Sequence, residues 1–121
     1  MIRRRASSGI RIKRVYEAPS PRDGTRILVD RLWPRGLKKA DAAIAQWMKE
    51  IAPSNELRKW FGHDPERWEE FRRRYERELE SKRELLREIE ELAAKGPVTL
   101  VYSAHDEVHN QAVVLRDHLA H

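Results

Sequence analysis

Cysteine is absent from this chain of 121 residues, and long apolar runs are absent as well. Without cysteine the chain has no disulfide scaffold and no thiolate nucleophile, and its composition fits a reducing cytosol. No stretch of 18 apolar residues occurs, so no transmembrane helix is expected. The basic start of the chain is not followed by an apolar segment, so no secretion signal is expected. We therefore expect a cytoplasmic protein that does not enter a membrane.

Glycine is also scarce, and its five residues do not form the spacing of a phosphate loop or of a dinucleotide-binding loop. We accordingly expect no cofactor, and we expect no metal either. His105 and His109 have the four-residue spacing of two metal ligands on one helix face. The strand predicted before them ends at Tyr102, however, so His105 belongs to a loop, and no third ligand follows.

The excess positive charge of +5 belongs to the start of the chain. Of the 25 lysines and arginines, six lie within residues 1–14 without any acidic residue, and the remaining 19 face 20 acidic residues. We predict that residues 1–9 form a disordered basic arm. This arm either contacts nucleic acid electrostatically or is a solvated start of the chain. The six basic residues are Arg3, Arg4, Arg5, Arg11, Lys13 and Arg14.

Arginine and glutamate alternate between Arg67 and Glu84, around the run Arg72-Arg73-Arg74. At helical spacing these residues form i,i+4 ion pairs, which are typical of a solvated helix face. The alternative is a nucleic-acid-binding surface on this helix.

Three segments have strand patterns within the one domain that we expect over residues 10–121. The segment from Ile10 to Tyr16 alternates roughly between apolar and polar residues. Residues 25–33 contain a continuous apolar core, and residues 98–102 are a second apolar run, as in strands buried on both faces. Pro34 ends the second strand because proline cannot donate to a strand ladder.

Four segments have helix patterns. The first places apolar residues at helical spacing from Ile44 to Ile51. The second begins at Ser54, a favourable N-cap, and ends at Gly62. The third is long, and its apolar stripe is interrupted near residues 80–83, where we predict a break. The four segments cover residues 41–51, 54–62, 64–95 and 110–119.

The element order β-β-α-α-α-β-α predicts an α/β protein with a small mixed or parallel sheet of about three to four strands, covered by helices. The helical crossover before residue 98 favours parallel second and third strands. The short turn between the first two strands permits an antiparallel pair. In open α/β sheets, ligands bind beyond the carboxyl ends of the strands. Here these ends lead into residues 30–36 and 103–110.

The first of these loops contains two arginines and a tryptophan. We expect Arg31 and Arg35 to bind a phosphate or carboxylate group, since guanidinium binds such groups in bidentate fashion. Trp33 is a candidate to stack on a ring or a cation of the ligand. The structural alternative is that Asp30 and Arg31 pair with helix residues and that Trp33 belongs to the core.

Candidate acid–base groups are Asp30, His63 and His109, because carboxylates and histidines transfer protons near neutral pH. Tyr102 and Asn110 are candidate ligand-binding residues on the second loop. Each histidine also has a structural alternative: His63 caps the helix before it, and His109 is a hydrogen-bonding residue. Asp106 is an equally good helix N-cap.

Several long motifs carry a resemblance. They are Arg14-Val15-Tyr16, Leu28-Val29-Asp30-Arg31-Leu32-Trp33-Pro34-Arg35-Gly36, Ile51-Ala52-Pro53-Ser54, Leu57-Arg58-Lys59-Trp60-Phe61-Gly62-His63-Asp64-Pro65 and His109-Asn110-Gln111-Ala112-Val113-Val114-Leu115. Together they make the chain similar to the YeaO-like family, domain of unknown function 488, from Ile12 to Leu119. The resemblance implies a small cytosolic prokaryotic protein whose family has no established reaction. His105 stands where that family usually has a lysine or a similar residue, which further weakens the metal hypothesis.

Three functions remain open from the sequence. The first is an enzyme or ligand-binding protein for a small anionic substrate that bears phosphate or carboxylate, acting at the carboxyl ends of the strands. The second is a nucleic-acid-binding accessory protein that uses the basic arm and the arginine-bearing helix. The third is a non-catalytic interaction module anchored by exposed tryptophans. Whether the protein is an enzyme, and its oligomeric state, are not predicted.

Overall fold

A four-stranded sheet forms the centre of the fold in the computed structural model, which describes residues 9–120. Every paired strand runs parallel to its neighbours, and the strand order is β1-β4-β2-β3. The predicted α/β class with a small sheet covered by helices is therefore confirmed. The strands are β1 (Ile10–Arg14), β2 (Thr25–Leu28), β3 (Gln46–Trp47) and β4 (Val98–Tyr102).

Within residues 9–120, five α-helices surround this sheet. The predicted break in the long helical pattern is confirmed, because one helix ends at Leu79 and the next begins at Arg83. The predicted caps of the shorter helix are present: Ser54 Oγ accepts from the backbone N–H of Leu57, and Gly62 adopts a left-handed φ of 52°. The helices are α1 (Lys39–Ala42), α2 (Asn55–Phe61), α3 (Trp68–Leu79), α4 (Arg83–Lys95) and α5 (Gln111–Leu119), with 3₁₀ turns at Pro21–Asp23, Lys49–Ile51 and Pro65–Arg67.

The core lies on both faces of the sheet, with β4 at its centre. All five residues of β4 are buried, as its continuous apolar sequence predicts. Successive side chains alternate between the faces: Leu100 belongs to the larger cluster, under α2 to α5, and Val101 to a smaller cluster with Val15 and Leu28. The segment containing Trp33 and Trp47 covers the smaller cluster.

The predicted helix over residues 41–51 is wrong. The only α-helix that reaches into this range is α1, which ends at Ala42, and a 3₁₀ turn covers Lys49–Ile51. Between them lies β3 as an edge strand: Ala45 N–H donates to Arg26 O and Met48 N–H to Leu28 O, both at 2.9 Å. Trp47 packs in the smaller cluster, whereas Met48 packs in the larger one. Adjacent apolar residues on opposite faces are typical of a strand, and hydrogen bonds to β2 outweigh the helical spacing.

Two further expectations about the strands need correction. The first two strands do not pair, antiparallel or otherwise, because β4 lies between them and is parallel to both. The second strand is shorter than predicted: its ladder ends where Val29 N–H donates to Val101 O at 3.1 Å, and Asp30 already begins the loop. The predicted arm over residues 1–9 lies almost entirely outside the described residues. Across residues 9–120, no helix is long and apolar enough to cross a membrane.

Candidate functional site

A cavity of about 480 Å³ opens at the carboxyl ends of β2 and β4. The loops that leave these two strands form its near side, and α2 with the turn after it forms its far side. Six of the predicted site residues line it: Asp30, Arg31, Trp33, Arg35, His63 and Asn110. The other lining residues are Leu32, Pro34, Ala52, Pro53, Arg58, Lys59, Phe61, Gly62, Phe71, Ser103, Ala104 and Gln111.

Asp30 is the only acidic residue among those that line the cavity. Its side chain is 8% exposed. Oδ1 accepts a hydrogen bond from Gln111 Nε2 at 2.6 Å, and Oδ2 accepts one from the backbone N–H of Ser103 at 3.1 Å. Burial raises the pKa of Asp30 above its ordinary value, and the bonds from Ser103 and Gln111 and the charge of His63 offset part of that rise. Within residues 9–120, Asp30 forms no ion pair with a lysine, arginine or histidine.

Arg31 is committed to the wall of the cavity. Its Nε donates to Pro53 O and its Nη2 to Ala52 O, both at 3.0 Å, and its Nη1 lies 3.6 Å from Glu50 Oε1. Lys82 Nζ donates to the same Ala52 carbonyl at 2.8 Å. Arg31 therefore joins the first loop to the wall, through two loop carbonyls and Glu50 of a 3₁₀ turn and not through an α-helix.

The residues behind that wall hold it in place. Glu78 accepts from both the backbone N–H and the hydroxyl of Ser54, at 2.9 and 2.6 Å. The buried hydroxyl of Tyr75 donates to Ile51 O at 2.7 Å, and burial raises the pKa of that hydroxyl. This side of the cavity is thus preformed by hydrogen bonds from α3, which is usual for small-molecule sites.

Four basic residues that line the cavity do not hold its wall together as Arg31 does. The side chains of Arg35, Lys59 and His63 are exposed at its mouth. Arg58 lies deeper: its Nη2 donates to Asn55 Oδ1 at 3.2 Å, while its buried Nε has no hydrogen-bond partner among the described residues. A buried N–H without an acceptor is unusual in proteins. The cavity therefore presents a cluster of basic side chains around a single carboxylate.

Trp33 lies at the edge of the cavity with its polar atom already used. Its indole Nε1 donates to Leu37 O at 2.7 Å, and its ring meets that of Trp47 edge-on, with centroids 5.4 Å apart. Lys39 Nζ lies 5.8 Å from the same ring. Most of the Trp33 side chain thus belongs to the smaller core cluster.

Two predicted site residues, His109 and Tyr102, do not line the cavity. His109 Nδ1 lies 2.9 Å from Asp106 Oδ2, and its ring meets Trp68 edge-on at 5.2 Å. Tyr102 is 2% exposed and packs in the larger core cluster, and burial raises its pKa. The last residue of β4 points its side chain into the core, so its position at a strand end does not bring it to the ligand side.

The loop after β4 is fixed by its own side chains. Asp106 Oδ1 accepts from the backbone N–H groups of Val108 and His109, each at 2.9 Å. Asn110 caps α5 by accepting from Val113 N–H at 3.1 Å, and it also donates to Asp106 O at 2.9 Å. Asp106 therefore caps a turn inside the loop, and Asn110 takes the helix N-cap. No group of three metal-binding side chains occurs within residues 9–120.

Four polar residues that line the cavity were not predicted from the sequence: Arg58, Lys59, Ser103 and Gln111. The sequence position of two of them indicates the cavity, because Ser103 directly follows β4 and Gln111 is the first residue of the helix after that loop. The sequence indicates Arg58 and Lys59 less strongly, since they are only near His63, less than two helical turns before it. Their convergence with the strand ends depends on how α2 packs, which no local pattern contains.

The arginine run of α3 is engaged in ion pairs, as its alternation with glutamate predicts. Arg73 Nη2 and Arg74 Nε bind the carboxylate of Glu70 at 2.6 and 2.9 Å, and Arg72 Nη2 binds Asp117 at 3.0 Å. Each arginine of the run Arg72-Arg73-Arg74 is therefore paired with an acidic side chain in the described part of the chain.

The fold and the cavity define a small parallel α/β protein with a polar pocket at its strand ends. The chain belongs to the family described as the inactive DUF488-N3 subclade, whose model matches residues 9–121, and the predicted family is confirmed. It is 47% identical over 110 residues to uncharacterized protein YeaO of Escherichia coli K12, covering 91% of this chain and 96% of that protein. It is 43% identical over 106 residues to uncharacterized protein Rv3073c of Mycobacterium tuberculosis H37Rv, covering 88% of this chain and 89% of that one. No solved structure matches the chain.

Proposed function

We propose that this protein binds a small anionic ligand, bearing a phosphate or carboxylate group, in the strand-end cavity and does not convert it chemically. The observation that carries the proposal is the convergence of four basic side chains, Arg35, Arg58, Lys59 and His63, on a cavity whose lining contains a single carboxylate. An anion oxygen that accepts from a guanidinium N–H makes one of the stronger hydrogen bonds found in proteins.

The lack of an activated nucleophile among the residues that line the cavity supports binding without nucleophilic turnover. The chain has no cysteine, and Ser103 is the only hydroxyl-bearing residue among those that line the cavity. A nucleophilic serine requires an adjacent base such as histidine, and no hydrogen bond joins Ser103 to a histidine in the described part of the chain. The description of the family as inactive agrees with this proposal.

The proposal includes a cytoplasmic location and one domain over residues 10–121. A chain without cysteine suits a reducing compartment. Contacts between distant segments support the single domain, since α5 packs on β1 and on α3.

Isothermal titration calorimetry with inorganic phosphate and with acetate tests the proposal. Arg58→Gln should weaken the binding by about ten- to hundredfold, because hydrogen bonds to charged groups contribute about 1.5–3 kcal/mol. Arg87→Gln is the matched control, since Arg87 is an exposed arginine on α4 that does not line the cavity. It should bind as the unaltered protein does. Equal losses in the two variants, or no binding of either anion, would overturn the proposal.

A further inference from the structure

The carboxylate of Asp30 would repel a ligand that carries only negative charge in this cavity. Its carboxylate lies among the lining residues together with Arg58 and His63. A bound phosphate or carboxylate would therefore face a like charge in a partly enclosed, poorly solvated space, where repulsion is stronger than in water. Either Asp30 is protonated when the ligand binds, or the ligand places a positive group against it.

The partners of Asp30 leave room for such a group. Gln111 and Ser103 each donate one hydrogen bond, one to each carboxylate oxygen, and each oxygen of an ionised carboxylate accepts two. The neighbouring cation Arg31 donates to the wall carbonyls of Ala52 and Pro53, so it does not neutralise Asp30 by direct contact.

The other buried carboxylate of the described chain shows how this fold neutralises a charge. Asp23 is 5% exposed and binds both Lys13, at 3.1 Å, and Arg26, at 2.7 Å. A buried carboxylate is normally paired in this way. Asp30 is almost as buried but has no such pair within residues 9–120, and it faces a cavity.

We propose that the ligand is a small zwitterion, whose ammonium group binds Asp30 and whose phosphate or carboxylate binds Arg58 with the basic residues at the cavity mouth. This inference rests on the proposed anion site and names its substrate class. The cavity of about 480 Å³ lies within the usual size range for small-molecule sites. Arg58 and Asp30 would thus each bind one of the two charged groups of the same ligand.

Two matched pairs of probes separate this inference from the anion site itself: 2-aminoethyl phosphate with ethyl phosphate, and β-alanine with propionate. Within each pair the anion is the same and only one member has an amine. The amine-bearing member of at least one pair should bind roughly tenfold or more tightly than its partner, since a charge-assisted hydrogen bond is worth at least that factor. If the amine-free members bind as well or better, the zwitterion is excluded and the anion site stands. If no probe binds, both proposals fail.

Proton release gives a second readout, which can be measured on the unaltered protein. Burial raises the pKa of Asp30 in the free protein, and an ammonium group favours the ionised form. At a pH at which Asp30 is partly protonated, binding of the amine should therefore release a proton from it, and the affinity for the amine should rise with pH through the pKa of Asp30. An amine-free anion should show the opposite trend. His63 and Arg31 also face Asp30, so the titrations should be repeated in His63→Gln; Arg31 stays charged throughout.

Asp30→Asn should abolish the preference for the amine, and Asp41→Asn, at an exposed position on α1, should keep it. Calorimetry in two buffers of different ionisation enthalpy counts the protons released. An unchanged preference in Asp30→Asn would overturn the assignment even if the pairwise preference is present.

Discussion

The two ends of β2 hold two buried carboxylates in opposite ways. Asp23, just before the strand, is neutralised by Lys13 and Arg26. Asp30, just after it, is held by an amide and a backbone N–H and faces a cavity. At the first end the carboxylate is paired with two cations, and we call this the closed end of β2. At the second end the carboxylate has no cationic partner within residues 9–120, and we call this the open end. The difference indicates which end of the fold is built for stability and which for binding.

The largest expected effect is the loss of stability when the closed end loses its charge. Asp23→Asn leaves Arg26, which is 3% exposed, without its anionic partner, and breaking a buried pair costs about 3–5 kcal/mol. Asp30→Asn should change the free energy of unfolding by no more than about 1 kcal/mol, because relief of the buried charge offsets one lost hydrogen bond. Urea denaturation of both variants measures the contrast. Equal losses would mean that Asp30 is as structural as Asp23.

A smaller difference in stability is expected between alanine variants of Gly24, next to Asp23, and of Gly36, in the loop that begins at Asp30. Gly24 has a φ of +63°, and a Cβ there would lie 2.2 Å from the carbonyl oxygen of Pro97, a backbone atom. Gly24→Ala should therefore cost about 3 kcal/mol or more, through overpacking added to backbone strain. Gly36 has a φ of +75° but no atom within 4 Å of such a Cβ, so Gly36→Ala should cost only about 1–2 kcal/mol.

Thermal and urea unfolding of the two glycine variants provide the test, with the unaltered protein as reference. A Gly36→Ala variant that is as unstable as Gly24→Ala would show that the loop beyond β2 is packed as tightly as the turn before it. The closed and open ends would then no longer be distinct.

The elements with strong local patterns were predictable from the sequence, and those fixed by partners were not. The continuous apolar run of β4 and the interrupted stripe between α3 and α4 are local features. In contrast, β3 is a two-residue edge strand that pairs with β2, and the helical spacing of the apolar residues around it conceals it. The insertion of β4 between β1 and β2 likewise depends on packing of the last third of the chain, which no local pattern contains.

The cavity likewise has residues that the sequence predicts and residues that only packing brings there. The rule that ligands bind at the carboxyl ends of parallel strands leads to the loops after β2 and β4, and six of the predicted residues line the cavity there. The rule says nothing about side-chain direction, so it also selected Tyr102, which faces the core. It could not identify Arg58, because α2 reaches the strand ends only through its packing against α3.

The smallest expected effect is a difference in titration between two carboxylates at the open end. Hydrogen bonds from the backbone and the ring of His109, and then from the backbone of Val108, lower the pKa of Asp106 to about 2. Burial raises that of Asp30. Asp106 therefore contributes stability above its ordinary pKa that is lost as the pH falls towards 2, whereas the contribution of Asp30 is present at low pH and lost as the pH rises through its raised pKa.

Carbon-13 carboxyl shifts followed by NMR against pH should show Asp30 titrating well above Asp106. The Asp23 carboxyl is an internal reference, because hydrogen bonds from Ser20, Lys13 and Arg26 outweigh its burial and lower its pKa. If Asp30 instead titrates together with Asp23, the carboxylate at the cavity has a counter-charge after all. The open end would then be electrostatically closed like the other, and an ammonium group on the ligand would have no partner to bind.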